Sequence, residues 1–120
     1  MHRYNFEKLE VWQLARQLVT KIYLTTQNFP ESEKYGLTNQ LRRAGVSISS
    51  NIAEGLGRIT NKERARFIEI AYSSLLEVLN QLILSSDLEF LSEQELLIYR
   101  EDIDLLSNKL NAFHKKLLIS

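Results

Sequence analysis

The sequence predicts an all-α protein, an up-down-up-down antiparallel four-helix bundle, and three observations carry that expectation. Apolar residues recur at steps of three and four along four separate stretches. No stretch alternates apolar and polar residues for long enough to make a strand. The connections between the stretches are short, so neighbours must run antiparallel, and a bundle is the economical way for four such stripes to bury one another. At 120 residues the chain can hold one domain with a real core and is too short for two, so residues 1–120 are read as a single domain.

The first helix carries Leu9, Trp12, Ala15, Leu18, Val19, Ile22 and Tyr23, and ends near Pro30, which disfavours helical geometry at Phe29. The second follows Gly36, with Thr38 as its expected N-cap, and presents Leu41, Ala44, Ile48, Ile52 and Leu56. "TNKE" from Thr60 to Glu63 reads as a capping box that opens the third helix, whose stripe is Ile68, Ala71, Tyr72, Leu75, Leu79, Leu82 and Ile83. A second box, "SEQE" from Ser92 to Glu95, opens the fourth. There Leu96, Tyr99, Ile103, Leu106, Leu110, Phe113 and Leu117 form a heptad seam.

The second helix also carries polar residues that a core helix does not need. At about 100° per residue, with Arg43 at zero, Ser47, Asn51, Glu54 and Arg58 all fall within about 80° of it, bordering the apolar stripe. Polar groups at such a boundary are tolerated when they bond one another or a partner. Ser47, Asn51 and Glu54 are therefore assigned a structural role, fixing the helix against a neighbour or across a subunit contact, with the glycines allowing close approach. Val46 and Ala53, with Val11 and Leu14 of the first helix, lie off the main stripes and suggest a second buried surface between subunits.

Charge is zero overall but unevenly placed. From Gly36 to Arg66 six basic residues, Arg42, Arg43, Arg58, Lys62, Arg64 and Arg66, face two acidic ones; from Asp87 to Asp104 seven acidic residues face only Arg100. The molecule should be a dipole, and a contact between its oppositely charged parts could repeat around a closed ring. The basic cluster reads either as phosphate-contacting side chains of a nucleic-acid-binding surface or as a solvated face.

Catalysis finds little support. There is no cysteine, hence no disulfide framework, thiolate metal site or Cys nucleophile. The two histidines, His2 and His114, form no Glu-x-x-His pair of the di-iron bundle kind, and no Arg stands four to six residues before His114 as in helical-bundle ribonucleases. Glu54 beside Asn51 lacks a partner acid, a metal set or a nucleophile. No cofactor is expected. The N-terminus has no signal-peptide pattern and no apolar run approaches a membrane span, which reads as a soluble cytoplasmic chain.

Trp12 to Arg58, "WQLARQLVTKIYLTTQNFPESEKYGLTNQLRRAGVSISSNIAEGLGR", followed by "FIEIAYSSLLEV" at Phe67 to Val78, resembles a family of small bacterial proteins. These are encoded in intervening sequences of 23S ribosomal RNA genes and carry the label S23 ribosomal protein. The resemblance covers nearly the whole chain. It implies a four-helix bundle assembled as a homopentameric ring. It also implies distant kinship with the accessory variability protein of diversity-generating retroelements, which binds nucleic acid and a reverse transcriptase; this chain lacks that protein's strongly basic balance. The expectation is a non-catalytic, oligomeric RNA-binding protein. The alternative is a scaffold ring that binds a partner protein such as a reverse transcriptase.

Overall fold

A computed structural model describes all residues 1–120 and contains four helices. They are α1 (Glu10–Thr26), α2 (Leu37–Leu56), α3 (Asn61–Asp87) and α4 (Glu93–Ile119), with short 3₁₀ turns at Asn5–Lys8 and Glu31–Glu33. Cross-helix pairs run in opposite order along every neighbouring pair of helices. Gln40, Ser47 and Gly55 of α2 meet Gln81, Ser74 and Phe67 of α3. Ile22 and Thr26 of α1 meet Gly45 and Arg42 of α2. Asn61 and Glu69 of α3 meet Ser120 and His114 of α4. Glu10, Lys21 and Thr25 of α1 meet Lys109, Asp102 and Tyr99 of α4. The antiparallel bundle measures 45 × 28 × 22 Å, and α3, at about 1.5 Å per residue, nearly spans its length.

One apolar core runs down the axis. Ile22, Leu41, Ile48, Ile52, Ile68, Leu75, Leu82, Leu106 and Leu110 are fully buried, and each such side chain contributes about 1.5–3 kcal/mol by leaving water. The stripe of α1 is rotated from its sequence reading: Val11, Ala15, Leu18, Ile22 and Thr26 are buried, while Trp12 and Val19 lie half-buried at its flank and Tyr23 is exposed. Val11 therefore belongs to the core of its own chain and not to a subunit contact. In α3 the buried face includes Ser74, Gln81 and Ser85 beside the aliphatic residues. The Ser85 hydroxyl is satisfied by donating to the Gln81 carbonyl at 2.7 Å.

Helix ends follow local chemistry. Thr60 Oγ1 accepts from the Glu63 amide at 3.1 Å, and at α4 the box is complete, with Ser92 Oγ accepting from the Glu95 amide and Glu95 Oε1 from the Ser92 amide. Thr38 is not an N-cap. The cap position falls to Gly36, two residues earlier, so the helix begins at Leu37, whose amide donates to Glu33 Oε1 at 3.1 Å, and Thr38 is buried within the first turn. The end of α3 is a Schellman turn: the Phe90 amide reaches the Ser85 carbonyl and the Glu89 amide the Ser86 carbonyl. This places Glu89, a non-glycine residue, at φ 64°. The loops at this end of the bundle meet through Phe29 and Phe90, whose ring centroids are 5.7 Å apart.

By length and composition α3 passes as a candidate membrane span, contrary to the expectation that no run would. Between Phe67 and Leu84 only Glu69 and Glu77 are charged, and the leucine, isoleucine, valine and phenylalanine residues raise the average although polar residues interrupt the run. Its apolar side chains Ile68, Leu75, Val78 and Leu82 are buried against the rest of the bundle, as in the core helix of a globular domain.

Candidate nucleic-acid interface

The polar row of α2 is divided by its surroundings. Ser47 Oγ lies 2.9 Å from Ser74 Oγ of α3, and Asn51 Nδ2 donates to the Ser47 carbonyl at 2.8 Å and to Ser47 Oγ at 3.1 Å. These three side chains form one chain of bonds across the α2–α3 seam. Glu54 is exposed and its side chain bonds to nothing in the chain. The partner Ser74 was not singled out by the sequence reading, although it sits in the "YSSL" run of α3. Nearby, a Cβ added at Gly55 would lie 2.7 Å from Phe67 Cβ, and one at Gly45 would lie 3.0 Å from Ile22 Cδ1. Glycine at 55 is what lets α2 and α3 approach so closely.

The six basic residues separate into two groups. Arg42 and Arg43 lie on the second turn of α2, about 24 Å along the chain direction from Arg58 at about 1.5 Å per helical residue. The α2–α3 pairing sets Arg43 level with the middle of α3, not with its start. Arg42 is turned back onto α1: Nε donates to Thr26 Oγ1 at 2.9 Å, an Nη group donates to the Tyr23 carbonyl at 3.3 Å, and the guanidinium lies 4.5 Å from the Tyr23 ring centroid. It places its charge at the α1 C-terminus, where a cation is favoured, adding a donor to a carbonyl that the Gln27 amide already reaches. Arg43 is exposed beside it.

Arg58, Lys62, Arg64 and Arg66 gather around the turn between α2 and α3. Arg64 ties that turn together, donating from Nε to the Arg58 carbonyl at 2.8 Å and from Nη1 to Asn61 Oδ1 at 3.1 Å. The Arg58 guanidinium lies 4.6 Å from the Phe67 ring centroid, which holds a flexible cation in place without neutralising it. Lys62 and Arg66 are exposed and four residues apart, hence on one face of α3. The ion pairs Lys21–Asp102 and Lys109–Glu10, and the His114–Glu69 contact, involve none of the six.

The antiparallel arrangement enlarges this end. Because Asn61 Nδ2 reaches Ser120 Oγ at 3.1 Å, the exposed Lys115 and Lys116 on the last turns of α4 stand close to the start of α3. Sequence reasoning missed them because they are about fifty residues from Lys62; the signal available was that the last helix of an up-down bundle must end where the third begins. The acidic residues occupy the opposite end, where Asp87, Glu89, Glu93 and Glu95 surround the α3–α4 turn.

The family model described as "23S rRNA-intervening sequence protein" matches residues 7–112. The chain belongs to the 23S rRNA-intervening sequence protein family. The match takes in all of α2 and α3 and so the turn that carries Arg58 to Arg66. Among solved structures, this family member is similar to a protein of unknown function from the S23 ribosomal protein family of Bacteroides thetaiotaomicron VPI-5482. The TM-score is 0.78 at 20% identity over 88% of this chain and 98% of that one, a likeness of fold. No curated protein sequence matches the chain.

Proposed function

We propose that this chain is a non-catalytic, cytoplasmic, homo-oligomeric protein that binds nucleic acid, RNA by preference, through the end of the bundle at the α2–α3 turn. One observation carries the reading. Arg58, Lys62, Arg64 and Arg66 crowd one turn with no carboxylate paired to any of them, in a chain of zero net charge. Phosphate is the ligand such cations fit, and each contact made would release counterions. Arg64 acts by holding the turn, and Arg58, Lys62 and Arg66 make the contacts. Arg42 and Arg43 stand apart and form a secondary patch.

A homopentameric ring with parallel axes would present five such ends on one side and multiply a weak single patch by avidity. Like charges then face one another between subunits, so charge complementarity does not hold this ring together. Apolar flanks would do so, and exposed Val46, Ile70, Leu76 and Leu84 on α2 and α3 supply that surface. The test combines light scattering with an absorbance ratio on protein purified before and after nuclease, and RNA binding by the triple variant Arg58→Gln, Lys62→Gln, Arg66→Gln. An oligomer whose RNA affinity falls roughly tenfold or more in the variant, with a shallower salt dependence, supports the reading. A monomer that carries no nucleic acid overturns it.

A second reading is an interaction scaffold for a basic protein such as a reverse transcriptase. It is favoured by the acidic end, where exposed Leu97 and Ile98 adjoin Glu93, Glu95 and Glu101. Absence of salt-sensitive retention on heparin would select this second reading over the first.

A further inference from the structure

A groove of about 480 Å³ runs along the outer flank of α1 and the 3₁₀ turn before it, lined by Arg3, Glu7, Trp12, Gln13, Arg16 and Gln17. Trp12 is the only tryptophan of the chain and is half-buried. Phe6 meets it edge-on, with ring centroids 5.1 Å apart and planes at 72°, which fixes the indole orientation. The Arg16 guanidinium lies 5.4 Å from the indole centroid, and neither Arg3 nor Arg16 has an ion-pair partner. The groove also holds one carboxylate, turned toward the chain before it: Glu7 Oε2 accepts from the Tyr4 amide at 2.8 Å. Gln13 is positioned by donating from Nε2 to the Glu7 carbonyl at 3.0 Å. An oriented indole, two guanidinium groups that outnumber the one carboxylate, and two side-chain amides, in a groove of nucleotide dimensions, are the parts list of a base-and-phosphate site.

We propose that this groove binds one nucleotide unit of single-stranded RNA, the base stacked on Trp12 and the phosphate held by Arg3 and Arg16. The base enters by lifting the Arg16 guanidinium from the indole, and guanidinium and ring then share its two faces. Gln13 and Gln17 offer both donors and acceptors, so they suit base edges without choosing one base. The Glu10–Lys109 contact and the Asn61–Ser120 contact place the start of α1 at the same end of the bundle as the α2–α3 turn, so a strand crossing that end reaches the groove. The inference rests on nucleic acid as the ligand but on separate residues.

The experiment titrates the intact protein with AMP and with decaadenylate, following Trp12 fluorescence. Quenching by both, with the ten-mer binding roughly tenfold or more tightly than AMP, is expected. The double variant Arg3→Gln, Arg16→Gln keeps Trp12, and should lose roughly tenfold in affinity for AMP with its helical circular dichroism unchanged. The Arg58→Gln, Lys62→Gln, Arg66→Gln variant should quench with AMP as the parent does. No quenching by either ligand, equal affinities for the two, or quenching by AMP that survives in the double variant or vanishes in the triple one, overturns the site. RNA binding without quenching would sink the groove and leave the basic end standing.

Discussion

The α2–α3 seam and the α1–α4 seam are built on opposite plans. In the first, small residues bring the helices together: Gly55 against Phe67, Ser47 against Ser74, with a short chain of hydrogen bonds enclosed between them. In the second, long side chains bridge helices that touch little, through Lys21–Asp102, Glu10–Lys109 and Thr25–Tyr99, with Leu14 and Leu105 along a groove between them. Exposed ion pairs contribute little because water screens them and long side chains lose freedom. Close packing contributes much because the apolar atoms it covers leave water and meet partners. Stability should therefore be concentrated in one seam, and the other should be free to yield.

The largest expected effect is at the core of the tight seam. Ile48→Ala should cost about 2–5 kcal/mol in urea unfolding, whereas Leu105→Ala, at a 46% exposed position, should change it by less than about 1 kcal/mol. Similar costs at the two sites would break the contrast. Next comes the single strong polar contact of the loose seam. Tyr99 is buried, and burial pushes its phenol up to about 12 from 10.0, with the Thr25 hydrogen bond opposing and the Glu95 and Asp102 carboxylates reinforcing that rise. A phenol whose folded-state value is raised contributes stability that is fully present below pH 10 and lost as pH climbs to about 12. The loss in that window should be about 2–3 kcal/mol, and Tyr99→Phe should flatten it.

Gly55→Ala should destabilise by about 1–2 kcal/mol despite alanine's better helix propensity, since the new Cβ has no room beside Phe67 Cβ. A stabilised variant would show that the seam can open. Ser47→Ala and Ser74→Ala, combined in a double-mutant cycle, should show a coupling of about 0.5–1.5 kcal/mol. The smallest effect belongs to Lys21→Gln. With both partners more than two-fifths exposed, it should cost under about 1 kcal/mol and vanish in high salt.

Much of the tight seam was legible from the sequence. The apolar steps of α2, the glycines within it and the Ser47–Asn51 pair one turn apart all announce a helix that must be approached closely. Glu54 misled, because an angle on a helical wheel gives the direction of a residue and not whether a partner side chain stands opposite it. Asn51 lies over Ser47 within the contact; Glu54, one turn further, projects into water. Arg42 misled for a related reason. A run of charge along the chain does not reveal that the preceding helix ends beside it, where a cation is drawn to the helix C-terminus. Its partners Tyr23 and Thr26 lie only sixteen to nineteen residues away, but the fold of the α1–α2 loop decides the meeting. In α1 the sequence places Ala15, Leu18 and Ile22 correctly but spreads the stripe to Leu9, Trp12, Val19 and Tyr23 and omits Val11 and Thr26, because periodicity alone cannot rank neighbouring apolar residues.

The two charged ends lie nearly a molecule's length apart on a neutral body, and this governs how an encounter begins. A neutral body exerts no pull on a distant polyanion, and its dipole field fades within a few Debye lengths. What it does exert at short range is a torque. The rod turns so that the α2–α3 turn leads and the acidic tip trails, and approaches in any other attitude are turned away. The arrangement trades speed of capture for a fixed attitude on arrival, so that a charged partner of either sign meets one particular tip first.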